Sequence, residues 1–180
     1  MTFRPMLIAL AFATALASTA PVLAQDHPGH GDTAAAISVG PIEITGAFTR
    51  ATLPNAPVAG GFLTLSNTGS EDDRLISATA PIARETQIHE MAMDGDIMRM
   101  RQLADGIVIP AGESIVLEPG GFHLMFMGLT GPIVEGEVVP VTLVFENAGT
   151  VTIDLPAADT AADAPSHEGH DMGPMDEDQM

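Results

Sequence analysis

Histidine and methionine recur together at three places in the chain: His89-Glu90-Met91-Ala92-Met93, Met98-Arg99-Met100 and His123-Leu124-Met125-Phe126-Met127. A thioether sulfur is a soft donor that favours Cu(I), and imidazole serves copper in either oxidation state. Eleven methionines and no cysteine give the chain soft donors without a thiolate. A blue-copper electron-transfer site needs a cysteine sulfur, so that class is excluded, as is thiol redox chemistry. The pattern points first to copper handling.

Strand geometry would align them. Residues i and i+2 of an extended strand share a face. Asp94-Gly95 reads as a two-residue hairpin loop, the strongest short-range hairpin signal. That loop pairs Met93 with Asp96, Met91 with Met98 and His89 with Met100, so one metal could bridge His89 and Met100 across the ribbon. In the third cluster Phe122, Leu124 and Phe126 take one face while His123, Met125 and Met127 take the other. His123 and Met125 then start roughly 7 Å apart, near enough to converge on one ion. Pro119-Gly120-Gly121 forms the turn that presents them. Methionine also fills irregular gaps in cores, and a single histidine beside it is usually structural. Two His-Met pairs aligned by strand period exceed gap filling in a chain with Leu, Ile, Val and Phe to spare. Met91, Met93, Met98 and Met127 are read as apolar lining of the site, the alternative being spare ligands that help exchange.

The elements that would position these residues are short β-branched and aromatic runs between Gly, Pro, Asn and Asp punctuation: Ile42 to Phe48, Gly61 to Ser66, Leu75 to Thr79, Thr86 to Met93, Ile97 to Leu103, Ser114 to Leu117, His123 to Leu129, Val138 to Glu146 and Thr150 to Leu155. Such a series predicts an all-β sandwich or barrel. Asn147-Ala148-Gly149 reads as a tight hairpin between the last two runs. The folded domain is expected over residues 37–155, with a His-containing arm over 25–36 and a His- and Met-rich acidic tail over 156–180, both too poor in apolar residues to pack.

Residues 1–24 have the form of an export signal: Arg4, an apolar run from Met6 to Ala17, and Val22-Leu23-Ala24 before Gln25. The run is shorter than the roughly 20 residues of a membrane-spanning helix, so removal on export is expected, with no membrane insertion afterwards. The 24 acidic residues outnumber the six arginines and there is no lysine, a balance that argues against nucleic acid and anionic lipid as partners. Neither Gly-x-Ser-x-Gly nor His-Glu-x-x-His occurs, so an enzyme is not expected.

The same residues carry a resemblance. Ten residues separate His89 from Met100, and His123-Leu124-Met125 follows as a His-x-Met. With Thr64-Leu65-Ser66-Asn67-Thr68-Gly69, Ile109-Pro110-Ala111-Gly112 and Pro119-Gly120-Gly121-Phe122, this pattern is similar to the PCu(A)C family of periplasmic copper chaperones and covers most of 42–155. One departure is the spacing of 22 residues between Met100 and His123, where the family pattern has about 21, and the extra residue falls near Ala104-Asp105. The resemblance implies a cupredoxin-like β-sandwich in the periplasm that binds one Cu(I) through His89, Met100, His123 and Met125. It further implies a monomer that delivers copper for cytochrome c oxidase assembly, to a Sco-type chaperone or an oxidase subunit. Periplasmic copper storage or resistance would use the same ligands. A second site is expected in the termini, where His27 and His30 in the arm, and His167, His170 and Met172 in the tail, mix imidazole and carboxylate suited to Cu(II) with a thioether suited to Cu(I).

Overall fold

The computed structural model describes residues 36–165. The secondary candidates His27, His30, His167, His170 and Met172, and the signal segment, lie outside them. The described chain forms β1 (Ile37–Val39), β2 (Ile42–Arg50), β3 (Val58–Asn67), β4 (Asp73–Thr79), β5 (Ala83–Asp94), β6 (Ile97–Gln102), β7 (Ile107–Ile109), β8 (Ser114–Leu117), β9 (Phe122–Leu129), β10 (Val138–Phe145) and β11 (Thr150–Ala158), and no helix occurs among the described residues. Each of the nine runs read from the sequence is a strand. β1 and β7 are additional, three residues each, too short for alternation to register.

The strands form one open mixed sheet in the order β6-β5-β9-β8-β3-β2-β11-β10-β4-β7, with β1 paired to β2. β3 serves two neighbours: Val58 to Gly61 pair with β9, and Leu63 to Ser66 pair with β8. β11 runs antiparallel to β10 and then, at Ala157 and Ala158, parallel to β2. This strand joins the two halves of the sheet, which close on one core. Ile42, Leu63, Leu65, Leu124 and Phe126 from one half meet Leu75, Ile109, Val141, Leu143 and Leu155 from the other. Burying such a side chain fully contributes about 1.5–3 kcal/mol, so the inward face of each strand is strongly specified.

Two polar side chains that enter the core, Asp73 and Asn67, are fully engaged. The buried Asp73 accepts from the backbone N–H groups of Arg74 (2.7 Å), Asn147 (2.9 Å) and Ala148 (2.8 Å), which pins the β10–β11 loop to the start of β4. Asn67, also buried, donates to the carbonyls of Glu71 and Ile109 and accepts from the N–H of Gly69. The Asn-Thr-Gly segment noted in the sequence is thus a side-chain-held turn. β11 continues to Ala158, past Leu155, and Arg50 fastens the segment beyond it by donating to the Ala162 carbonyl and to Asp163, each at 2.7 Å.

Close approach of the two halves depends on Gly61. A Cβ there would lie 2.9 Å from Phe126 Cζ and 3.1 Å from Leu155 Cδ2. Gly61→Ala is expected to destabilise the fold by about 1–3 kcal/mol, the usual range for an overpacked core. Urea unfolding reads this as a lower midpoint at unchanged m-value.

Candidate metal centre

β5 and β9 run side by side with a register set by their core faces: Ile88 opposes Leu124 inside, and His89 opposes His123 on the other face. Ile88 of β5 and Leu124 and Phe126 of β9 enter the core, so the two imidazoles share the opposite face. Their ring centroids are 5.7 Å apart and the rings are tilted by 59°. His123 is buried and His89 partly buried. Met125, on the same face of β9, opposes Gln87 on β5 and Gly60 on β3. It is diagonal to His89, within reach for a long side chain. A shallow, mostly apolar cleft of about 410 Å³, lined by Leu53, Ala56, Val58, Gly60, Met125 and Thr160, opens beside it.

The β5–β6 hairpin departs from the register expected from sequence. Asp94 pairs with Ile97, so the loop is Gly95-Asp96 rather than Asp94-Gly95. Gly95 carries the left-handed φ of +64°, at the first loop position. An Asp94-Gly95 loop of the common type would force Asp94 itself into that region, which glycine enters without penalty. His89 therefore opposes Gln102, and Met100 opposes Met91, with Met93 opposite Met98. The pairing moves by an even number of residues, so His89, Met91, Met93, Met98 and Met100 keep a common face. Met100, however, stands one rung beyond the histidine pair. On an ideal flat ladder it would be roughly 16 Å from Met125, on the far side of the two imidazoles.

Of the four core candidates, His89, His123 and Met125 are adjacent, and Met100 is displaced toward the hairpin tip. The tip extends past the core. Met93, Met98 and Met100 are 61%, 55% and 48% exposed, so Met93 and Met98 do not enclose the site as the expected lining would. Met91 and Met127 are partly buried. On the reverse face Arg101 pairs with Glu90 at 2.6 Å and Arg99 with Asp94 at 2.7 Å, charges that also protect the exposed edge of β6.

Hydrogen bonds orient the rings. His89 Nε2 is 2.7 Å from Gln87 Oε1, while His89 Nδ1 is buried and has no partner. His123 Nδ1 is 3.1 Å from the Gly121 carbonyl. Gln87 was not singled out in the sequence, since an isolated glutamine two residues before a histidine carries no signal until the strand face is known. Burial, and next the charge of His123, hold the His89 pKa below its ordinary 6.5. The neutral imidazole, with a lone pair to donate, is therefore the favoured form at neutral pH. Among the described residues no group of three or more His, Cys, Asp or Glu side chains assembles, and the donor set of two imidazoles and a thioether suits a soft monovalent ion.

Comparison with known proteins gives the family and the fold. The family model described as "Putative lipoprotein LpqE-like" matches residues 42–157. A protein of Leifsonia xyli subsp. xyli named "Putative lipoprotein Lxx21020" is 30% identical over 128 residues, 71% of this chain and 76% of that one. The chain belongs to the LpqE-like family. Its fold is that of the PCuAC domains, a cupredoxin-like β-architecture. The structure described as "Copper-bound PCuAC domain from PmoF2" is 28% identical with a TM-score of 0.59, covering 69% of this chain and 98% of that domain. The apo form of the PmoF2 domain gives 27% and 0.61, over 73% and 100%. The solution structure of CuI-DR1885 from Deinococcus radiodurans gives 26% and 0.55, over 71% and 83%.

The depressed His89 pKa has a consequence for stability. A base whose folded pKa lies below its unfolded value of 6.5 binds more protons in the unfolded chain between the two values. Its contribution is full above pH 6.5 and is lost as pH falls through the folded value. The metal-free protein is expected to melt at a lower temperature at pH 5 than at pH 7.5, and His89→Gln should shrink that difference. Differential scanning calorimetry at the two pH values checks it.

Proposed function

We propose that the protein is an exported copper chaperone that captures Cu(I) on the His89–His123 pair and Met125 and releases it to a partner. The observation that carries this reading is the opposed imidazole pair with an unpartnered buried nitrogen next to a thioether. Copper in the PmoF2 domain and Cu(I) in DR1885, both of the same fold, support the choice of metal. The fourth donor is a thioether from the adjacent rung: Met100, the residue implied by the sequence resemblance, reached by curling the hairpin toward the histidines. Its exposure fits exchange, because an incoming ligand can displace a donor that the fold does not enclose.

Capture and release need no redox step or covalent intermediate. Neutral thioethers do not compete with protons, so acid releases the ion through the imidazoles, and Cu(I) retention should fall below about pH 6. The chain's place is the periplasm or its equivalent, in line with the export signal and with a relative named as a lipoprotein, although this sequence has no cysteine to carry a thioether-linked lipid. The recipient belongs to cytochrome c oxidase assembly, a Sco-type chaperone or an oxidase subunit, and the C-terminal tail provides a separate Cu(II) site through His167 and His170. The protein acts as a monomer and has no catalytic activity of its own.

A Cu(I) competition titration tests the site. His89→Ala, His123→Ala and Met125→Leu should each lower affinity by more than about tenfold, the lower end of losses seen even for residues that only support metal ligands. Met100→Leu should lower it by less, and Met93→Leu and Met98→Leu should leave it unchanged. Unaltered affinity in His123→Ala would overturn the assignment. Deleting the gene separates destinations: loss of oxidase activity at low copper is expected, whereas copper sensitivity alone points to storage.

A further inference from the structure

Three consecutive residues on the outer face of β5, Glu85, Gln87 and His89, form a hydrogen-bonded row of which the proposed capture step uses only His89. The Gln87 amide nitrogen donates to Glu85 Oε1 at 2.7 Å, and the Gln87 carbonyl oxygen lies 2.7 Å from His89 Nε2. The directions in this row follow from the donor inventory. A carboxylate oxygen accepts, so the amide of Gln87 must turn its NH₂ toward Glu85 and its oxygen toward His89. That oxygen can only accept, so Nε2 of His89 must carry the proton. In a neutral imidazole the other nitrogen then holds the lone pair. Nδ1 is the buried atom left without a partner, on the ring that faces His123.

His123 is set the opposite way. Its Nδ1 lies 3.1 Å from the Gly121 carbonyl, which accepts only, so Nδ1 carries the proton and Nε2 the lone pair. The Gly121 carbonyl also accepts from the Met91 N–H at 3.1 Å, which ties this acceptor to β5 and holds the ring against the strand that carries its partner.

We infer that Gln87, oriented by Glu85, is a positioning residue that locks His89 in the Nε2–H tautomer, so that copper meets Nδ1 of His89 and Nε2 of His123. The inference rests on the copper reading above and deepens it. Its physical value is preorganisation. A free imidazole divides between two tautomers and many ring orientations, and a hydrogen bond to the distal nitrogen selects one of each and raises the basicity of the ligating atom. A glutamine supplies this orientation without a negative charge, so the bound site keeps the single positive charge of Cu(I) on neutral donors. Transfer then does not have to separate the ion from an adjacent anion.

The test uses the mature chain labelled with ¹⁵N on histidine. Long-range proton–nitrogen correlation in the copper-free protein at pH 8 should show His89 as the Nε2–H tautomer and His123 as the Nδ1–H tautomer. Gln87→Leu should give a mixed His89 tautomer and about a tenfold loss of Cu(I) affinity, in the range measured for partners of metal-bound histidines. Gln87→Glu, which keeps an acceptor at the same place, should restore the tautomer and most of the affinity. An Nδ1–H tautomer at His89 in the wild-type protein overturns the inference, as does a Gln87→Leu variant with both tautomer and affinity unchanged. His89→Ala separates the two levels: if it leaves Cu(I) affinity intact the copper reading itself fails, and if it abolishes tight binding while Gln87→Leu has no effect, only the role of Gln87 fails.

Discussion

The backbone ladder between β5 and β9 is the constraint on which the rest of the centre depends. On its inner side it sets Ile88 against Leu124, deep in the core, and on its outer side it sets His89 against His123. A slip of one residue would carry the imidazoles inward and the aliphatic groups outward, at a cost of several buried side chains. A slip of two would break the Met91 N–H bond to the Gly121 carbonyl and take Ile88 away from Leu124. The hydrophobic effect therefore holds the histidine pair in register without any direct attraction between the rings, which repel each other when charged.

From that pair outward the centre grades from enclosed to open. His123 is buried, Met125 and His89 are partly covered, and Met93, Met98 and Met100 of the hairpin stand in solvent. An enclosed end raises affinity by excluding water and fixing orientation, and an open end lets a second ligand approach before the first has left. Both properties come from how far β5 and β6 run beyond the core. The ion pairs Glu90–Arg101 and Asp94–Arg99 brace the extension on its reverse face, where apolar packing has ended. Exposed pairs of this kind contribute little to stability, and their clearer effect is to keep the free edge of β6 from pairing with another sheet.

The fold was legible in the chain because its strands are bounded by strong punctuation and several of them, β9 and β10 among them, alternate buried and outer residues. Phe122 to Met127 is the clearest case, with three large apolar groups and three donor residues in strict alternation. The same regularity revealed which residues share a face with His89. Register across the hairpin was less legible, since Asp94-Gly95 and Gly95-Asp96 are both good loops on composition, and the choice turns on which residue takes the positive φ. The short strands β1 and β7 had too few residues to show a period, and they exist because β2 and β4 offer them an edge.

Local chemistry and period, both properties of the linear chain, determined the donor types, the all-β class and the side of each strand on which the donors fall. These follow from side-chain softness and from a two-residue repeat that needs no knowledge of neighbours. Which donors actually meet was decided by tertiary structure, because strands adjacent in space need not be adjacent in sequence and their offset is set by the packing of the opposite face. That is why His89 lies against His123 rather than Met100, and why Gln87, unremarkable in the chain, ends with its carbonyl oxygen against an imidazole.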